Sequence, residues 1–240
     1  MFVDVGVKFG PMHTFSTLVL ILLFTSFGVI SSSGASIEDR LKEYGAIARA
    51  RLEPHFKKAS VSYPPRELIF VGLKEEKVLE IYARSGTNDF NFIRAFPVRA
   101  ASGVAGPKLR EGDRQVPEGI YKIELLNPNS SYHLSLRVGY PNDFDRAQAR
   151  KENRTKLGGD IMIHGAAVSI GCLAMGDETA EDLFVLAADT GIEHIKVIFS
   201  PVDFRAGKFV PKDVKVPDWA PTLYAEIKTN LVKLVRPEKQ

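Results

Sequence analysis

Of the 240 residues only one is cysteine, Cys172, and a histidine, His164, stands eight positions before it in the run GGDIMIHGAAVSIGCLAMGDE, residues 158–178. A thiol is a poor nucleophile until it loses its proton, and an imidazole within hydrogen-bond reach can take that proton and later return it to a leaving group. Gly171, immediately before the thiol, has no side chain to obstruct an approaching substrate backbone. The amide N–H groups of Gly171 and Cys172 are candidates to face a developing oxyanion. In outline this is an acyl-transfer site, with Cys172 as nucleophile and His164 as general base and acid. One Cys and one His at this spacing also fit a plainer account, a buried thiol near a hydrogen-bonded strand histidine. The five histidines, His13, His55, His133, His164 and His194, show no paired zinc spacing with one another or with the cysteine, so no metal and no cofactor is expected.

Chemistry of this kind needs a frame. Asp160 to His164 reads as a strand that carries the histidine to its end, Gly165-Ala166-Ala167 as a tight turn, and Ser169-Ile170-Gly171 as the return to Cys172. Upstream, Ile37, Leu41, Tyr44, Ala48, Leu52 and Phe56 recur every three or four positions behind a candidate N-cap, Ser36. The spacing predicts an amphipathic helix over 37–59, broken near Pro54 or ended by Pro64-Pro65. Residues 67–73 and 77–83 are β-prone runs joined by the charged turn Lys74-Glu75-Glu76, a hairpin signature. Further strands are expected over 92–100, 119–126 and 132–138.

The stretch DFDRAQARKENRTKLGG predicts a surface helix closing at Gly158-Gly159. Its Arg146, Arg150, Lys151, Arg154 and Lys156, with Arg137 just outside, either attract an anionic polymer or form a solvated face. A helix over 179–189 has Thr179 and Asp182 in capping-box spacing, and a last strand covers 194–199. A C-terminal helix over 221–234 carries the stripe Leu223, Ile227, Leu231 and Leu234, with Trp219 packing at its start. The fold class is therefore α+β, β-rich, with helices added at both ends.

Composition sets the outer limits. Lys and Arg number 32 against 29 Asp and Glu, and 45% of residues are hydrophobic, so the chain has the makeup of a folded protein, not a disordered one. No basic stripe suited to nucleic acid stands out, and no nucleic-acid partner is expected. The apolar stretch Phe15 to Ile30 is 16 residues, short of the roughly 20 that a spanning helix needs. With Lys8 before it and Ser33-Gly34-Ala35 after it, residues 1–35 read as a secretory signal peptide cut after Ala35; the alternative is an uncleaved anchor. Either reading sends the remainder to the periplasm or cell envelope, where a thiol without a partner in its own chain stands out.

Several runs together resemble the L,D-transpeptidase (YkuD-type) catalytic domain. Ile163-His164-Gly165 followed by Ser169-Ile170-Gly171-Cys172 resembles that family's active-site signature, a His-Gly pair ahead of Ser/Thr-x-Gly-Cys. LIFVGLKEEKVLEIYARSG is similar to its opening hairpin and QVPEGIYKI to its Thr/Val-Pro-x-Gly-x-Tyr strand. LSLRVGYPNDFDRA, GGDIMIHG and IGCLAMGD resemble the YafK-like branch in particular. The resemblance runs from Tyr63 to Phe204 and divides the chain into a signal peptide (1–35), an N-terminal helical segment (36–62), a catalytic domain (63–204) and a C-terminal helical extension (205–240). This sequence departs from the broader family in its short His-to-Cys spacing, in Ile170 where His is common, and in Ala174 where Arg is usual. The missing arginine removes the family's usual carboxylate contact.

The resemblance implies a mechanism. His164 deprotonates Cys172, and the thiolate attacks the carbonyl of the diaminoacyl residue at position three of a peptidoglycan stem peptide. A D-alanine, or the lysine amine of a linked lipoprotein, leaves, and a thioester remains. An acceptor amine then gives a cross-link, and water gives hydrolysis by an amidase or L,D-carboxypeptidase. A non-catalytic peptidoglycan-binding module of the same fold is the rival from another class, although it has no need of a thiol near an imidazole. Around the pair, Ser169 is expected to orient His164, line the oxyanion region or simply bond its own turn. Gly165 is assigned to backbone shape. Tyr121 and Tyr140 line the cleft or belong to the core, and Lys108, Arg110 and Arg114 are candidates to meet a stem carboxylate. Asp160 lies about 13 Å along the strand from His164, too far to complete a triad.

Overall fold

The computed structural model describes residues 1–4, 6, 8, 10, 34–87 and 89–237. The expected signal segment falls largely outside the described residues. From residue 34 onward the chain forms one compact unit.

Helix α1, Ile37–Lys58, begins in a capping box: Ser36 accepts from the Asp39 amide and the Asp39 carboxylate accepts from the Ser36 amide. It runs through Pro54 for one more turn and stops at Lys58, well before Pro64. Of the stripe read from the sequence, Ala48, Leu52 and Phe56 are almost wholly covered, Leu41 and Tyr44 are half-buried, and Ile37 is exposed.

Nine strands follow: β1 Glu67–Leu73, β2 Val78–Arg84, β3 Asn91–Pro97, β4 Ala100–Ala101, β5 Gly119–Ser130, β6 His133–Val138, β7 Ile161–His164, β8 Leu173–Ala174 and β9 Ile195–Ser200. They form one sheet in the order β3-β2-β1-β9-β5-β6-β7-β8-β4. Among the described residues only β1 with β9 and β7 with β8 pair in parallel. The expected strand over 92–100 is two strands. Val98 donates to the Lys77 carbonyl and Arg99 to that of Ala174, so the chain leaves β2 after Pro97 and crosses to β8. That crossing brings residues 100–102 to the far edge of the sheet, beside the cysteine.

Helix α2, Asp143–Lys151, is shorter than the sequence reading. Glu152 caps it and Asn153 takes φ +54°, a left-handed conformation that turns the chain out of the helix six residues before Gly159. Helix α3, Asp177–Thr190, starts at Gly176 with no side-chain cap. Thr179 lies within its first turn and Asp182 is buried, where it accepts from Arg51 at 2.7 Å instead of capping. His194 closes a short 3-10 turn ahead of β9. Helix α4, Ala220–Leu231, has Trp219 at its start, bonded to Glu152 and edge-on to Phe144.

The sheet is covered on both sides. One core joins Leu52 and Phe56 of α1, Leu183, Phe184 and Leu186 of α3, and sheet residues such as Phe70, Leu136 and Ile163. The other joins Leu223, Ile227 and Leu231 of α4 to Ile69, Val71, Tyr82 and Ile198. This explains why β1 reads as a continuous apolar run after Glu67: both its faces are buried, as are those of β9 beyond Lys196.

Buried charges hold the ends of the fold together. Lys74 Nζ donates to the carbonyls of Gly106 and Val116 and to Glu118 Oε1 at 2.9–3.0 Å. Glu118 also accepts from the Gly106 amide and from Tyr224 of α4. On β2, Glu80 is fully buried and receives Tyr82 and Arg205, while Arg205 also bonds Asp203.

Candidate active site

The ladder around β7 fixes which side chains share a face. Ser135 of β6 stands opposite His164, and Arg137 opposite Met162. Leu173 lies beside Ile163 and Ala174 beside His164 in the parallel pair with β8, a register that sets Cys172 next to Met162. Side chains alternate along a strand, so Ile161, Ile163 and Leu173 enter the core while Met162, His164 and Cys172 point the other way. The expected neighbours therefore share one face of two adjacent strands. Strand spacings put their Cα atoms about 8 Å apart on the diagonal, within the combined reach of the two side chains.

They are not hydrogen-bonded to each other. The Cys172 thiol, half-buried, receives the Met162 amide at 3.4 Å and faces the Asp160 carbonyl at 3.6 Å. Burial pushes it above the ordinary thiol range, although the Met162 amide favours the thiolate. His164 is 2% exposed. Its Nδ1 lies 2.6 Å from the Gly165 carbonyl. A carbonyl only accepts, so Nδ1 carries the proton and Nε2 the lone pair: the neighbouring backbone selects the tautomer that can act as a base. Burial holds the imidazole below its ordinary value. Tyr132, itself exposed, covers it with ring centroids 4.8 Å apart. The resting pair is thus a neutral thiol and a neutral imidazole.

The connection from residue 165 to 172 is closed by hydroxyls and a carboxylate. Ser169 Oγ accepts from the Cys172 amide at 3.0 Å and donates to the Cys172 carbonyl at 2.6 Å. Ser169 therefore bonds its own turn and does not orient His164. Gly171, at φ +103°, donates to Ser102 Oγ at 2.6 Å. Both amides expected to face an oxyanion are thus held by hydroxyls in this state, a correction to the simple oxyanion reading of Gly171. Gly165 is needed for shape. A Cβ there would stand 2.5 Å from the Asp177 carboxylate and 2.8 Å from the Tyr132 carbonyl. Asp177 also accepts from the Ala166 amide.

Other expected residues lie elsewhere. Tyr121 is 3% exposed, packs against Tyr140 and Phe199, and donates to the Glu118 carbonyl: it is core, not cleft lining at the cysteine. Tyr140 is likewise buried. Arg110 is exposed on a separate cleft shared with Gln115, Arg154 and Lys215. Lys108 is bonded to Asp113 at 2.7 Å and is not free to meet a carboxylate. Two clefts of about 590 and 800 Å³ open on β1, β5 and β9 and on β3 with the C-terminal segment; neither is lined by Cys172 or His164. Among the described residues no group of three or more His, Cys, Asp or Glu side chains is placed to hold a metal.

Sequence reasoning missed Ser102 and Tyr132. Ser102 lies 70 residues before Cys172 and reaches it only through the crossing to β8. Tyr132 had a signal, an aromatic next to a strand start, but nothing in the spacing ties it to His164.

Residues 66–202 match the family model for the L,D-transpeptidase catalytic domain, YkuD. A curated relative, "Putative L,D-transpeptidase YafK" of Escherichia coli K12, is 36% identical over 113 residues. That match covers 46% of this chain and 43% of the relative, so it spans less than half of the relative's length. Among solved structures, the helical cell shape determining protein Pgp2 of Campylobacter jejuni aligns with 22% identity and TM-score 0.47 over 65% of this chain and 55% of its own. Bd1075 of Bdellovibrio bacteriovorus aligns with 19% identity and TM-score 0.43 over 70% and 55%.

Proposed function

The chain belongs to the L,D-transpeptidase catalytic domain (YkuD) family, and from that premise we propose that it is an exported, cysteine-dependent enzyme that acts on peptidoglycan stem peptides as an L,D-transpeptidase. The observation that carries the reading is the 2.6 Å contact of His164 Nδ1 with the Gly165 carbonyl: the carbonyl accepts from Nδ1–H, which leaves Nε2 as a base on the face that also holds Cys172. Rotation of the thiol away from the Asp160 carbonyl lets the proton pass from Sγ to Nε2.

The thiolate attacks the carbonyl of the residue at position three of a stem. As the C–N bond to D-alanine breaks, the leaving amine takes the proton from His164 and Cys172 is left as a thioester. An acceptor amine then attacks, passes its proton to His164 and frees the thiolate, giving a cross-link. Water in the amine's place gives a trimmed stem, and a lipoprotein lysine as leaving group gives release of that lipoprotein. The Gly171 and Cys172 amides can serve the oxyanion once Ser102 and Ser169 turn away from them. Export rests on the signal-like residues 1–35.

The test is intact-mass spectrometry of the full chain incubated with tetrapeptide muropeptides, with mass analysis of the soluble products. A thioester adduct with 3→3 dimers is expected. Tripeptides without dimers would make the enzyme a hydrolase. No adduct and no product, on muropeptides or on sacculi carrying linked lipoprotein, would overturn the catalytic reading in favour of a binding module.

A further inference from the structure

Across the three strands that carry the site, Arg137, Met162 and Cys172 stand in one row: Arg137 of β6 is paired with Met162 of β7, and the parallel register sets Cys172 of β8 on the other side of Met162. Paired residues share a face, so the arginine emerges on the face of the thiol, with its Cα about 10 Å away across two strand spacings. The carboxylates around its guanidinium, Glu124 Oε2 at 3.4 Å and Asp160 Oδ1 at 3.7 Å, lie beyond the roughly 2.7–2.9 Å of a charge-assisted hydrogen bond. The three side chains are 43%, 48% and 83% exposed, and ion pairs so open to water add little and yield to a better acceptor. Lys108, another cation whose charge reaches the thiol, is already bonded to Asp113 and to the Arg110 carbonyl. The side of the thiol on which Arg137 lies is also fixed. Sγ faces the Asp160 carbonyl, and the carboxylate of the same residue approaches Arg137, so the guanidinium lies toward Asp160. His164 lies the other way along β7, two residues beyond Met162, and its neighbour in β8 is the uncharged Ala174.

We infer that Arg137 is a specificity-determining residue that binds a carboxylate on the acyl half of the stem, the half retained as the thioester, and not the carboxylate of the leaving D-alanine. The inference rests on the proposed function, because it takes the direction of the substrate from the role of His164: the imidazole gives its proton to the leaving amine, so the leaving amino acid lies on the His164 side and the acyl half on the Arg137 side. A tetrapeptide stem carries carboxylates on both halves, one on the terminal D-alanine and others at residues two and three. The planar guanidinium can offer an acyl-half carboxylate two parallel N–H donors in place of the long contacts to Glu124 and Asp160. No bond forms or breaks at Arg137. Recognition on the retained half leaves the departing group unread, so one site can release either D-alanine or a linked lysine.

The experiment is titration calorimetry of the full chain carrying Cys172→Ala, with and without R137Q, against synthetic tetrapeptides: one with every carboxylate free, and one each amidated at residue two, at the side chain of residue three and at the terminal D-alanine. Amidation at residue two or at residue three is expected to weaken binding about tenfold, and amidation of D-alanine by no more than about twofold. R137Q should bring the free tetrapeptide down to the affinity of that acyl-half amide and leave the amide's own affinity unchanged. R137K, which keeps the charge without the planar fork, should recover part of the loss. The two acyl-half amides distinguish which carboxylate is bound. Equal weakening of every ligand in R137Q overturns the inference, as does a preference that resides in the D-alanine carboxylate or binding that does not depend on the arginine. Turnover of muropeptides by the unmodified chain is read separately. No turnover with arginine-dependent binding overturns the enzymatic reading alone, and turnover with arginine-independent binding overturns the carboxylate subsite alone.

Discussion

Where Lys74 enters the fold and where Arg205 crosses β2, every buried charge meets several partners; around His164 and Cys172 the buried polar groups are neutral and thinly bonded. Lys74 has two carbonyls and a carboxylate about it, and Arg205 has two carboxylates and a phenol. Burial lowers the Lys74 ammonium from its ordinary range, and Glu118 opposes that shift. At the site burial acts almost alone, pushing the thiol up and the imidazole down. The first arrangement fixes charges to hold segments in place. The second leaves a thiol and an imidazole on one face with few fixed charges about them, an arrangement open to proton transfer and a poor way to build stability.

The contrast is sharpest under substitution. Cys172→Ala should abolish turnover of stem peptides, while denaturant unfolding shifts by no more than about 1–2 kcal/mol, because a half-buried sulfur leaves little cavity. A large loss of stability would move Cys172 into the structural class and erase the distinction. Lys74→Met should do the opposite, costing about 3–5 kcal/mol by leaving Glu118 buried without its cation. Activity per folded molecule should survive.

Asp145 tests an intermediate case. It lies at the third position of α2, 5% exposed, and burial holds it up at about 6 even though the Asn142 amide and the Tyr121 hydroxyl favour the carboxylate. Its folded value exceeds its unfolded one, so it contributes stability that is complete below about pH 4 and fades as pH rises through 6. Unfolding followed from pH 4 to 7 should show the unmodified chain losing on the order of 2–3 kcal/mol relative to Asp145→Asn. A difference that does not change with pH would deny the burial. The smallest effect is expected from Tyr132→Ala, which uncovers His164 and lets it titrate nearer its ordinary value, a shift readable by NMR of the imidazole.

What the residues disclosed in advance divides along the same line. Periodicity found α1, the opening hairpin and the C-terminal stripe, because apolar spacing is read by the same cores that bury it. It overran α2, where the polar stretch keeps helix-forming composition but Asn153 adopts a left-handed turn that composition does not encode. The capping-box reading of Thr179 and Asp182 failed because Asp182 had a stronger partner across the core in Arg51. At the site, the nearness of Cys172 to His164 and the need for Gly165 in shaping the chain were legible. The hydroxyl of Ser102 was not, since only the sheet order brings β4 alongside β8. Tyr121 was misplaced because strand alternation shows that a side chain points inward without saying to which of two cores.

Strand β8 is two residues long, yet it decides what the cysteine faces. If the chain slipped by a single residue along β7, Leu173 would be turned toward solvent and the thiol into the hydrophobic interior. Burial of Leu173 opposite Ile163 opposes that slip, so the nucleophile is aimed by an aliphatic side chain that takes no part in the chemistry. Insertions and deletions between Gly165 and Gly171 should therefore be tolerated according to whether Leu173 still finds its seat, not according to how far the loop places the sulfur from the ring. In this chain a change in the length of that loop should matter less than the loss of the aliphatic side chain after the cysteine.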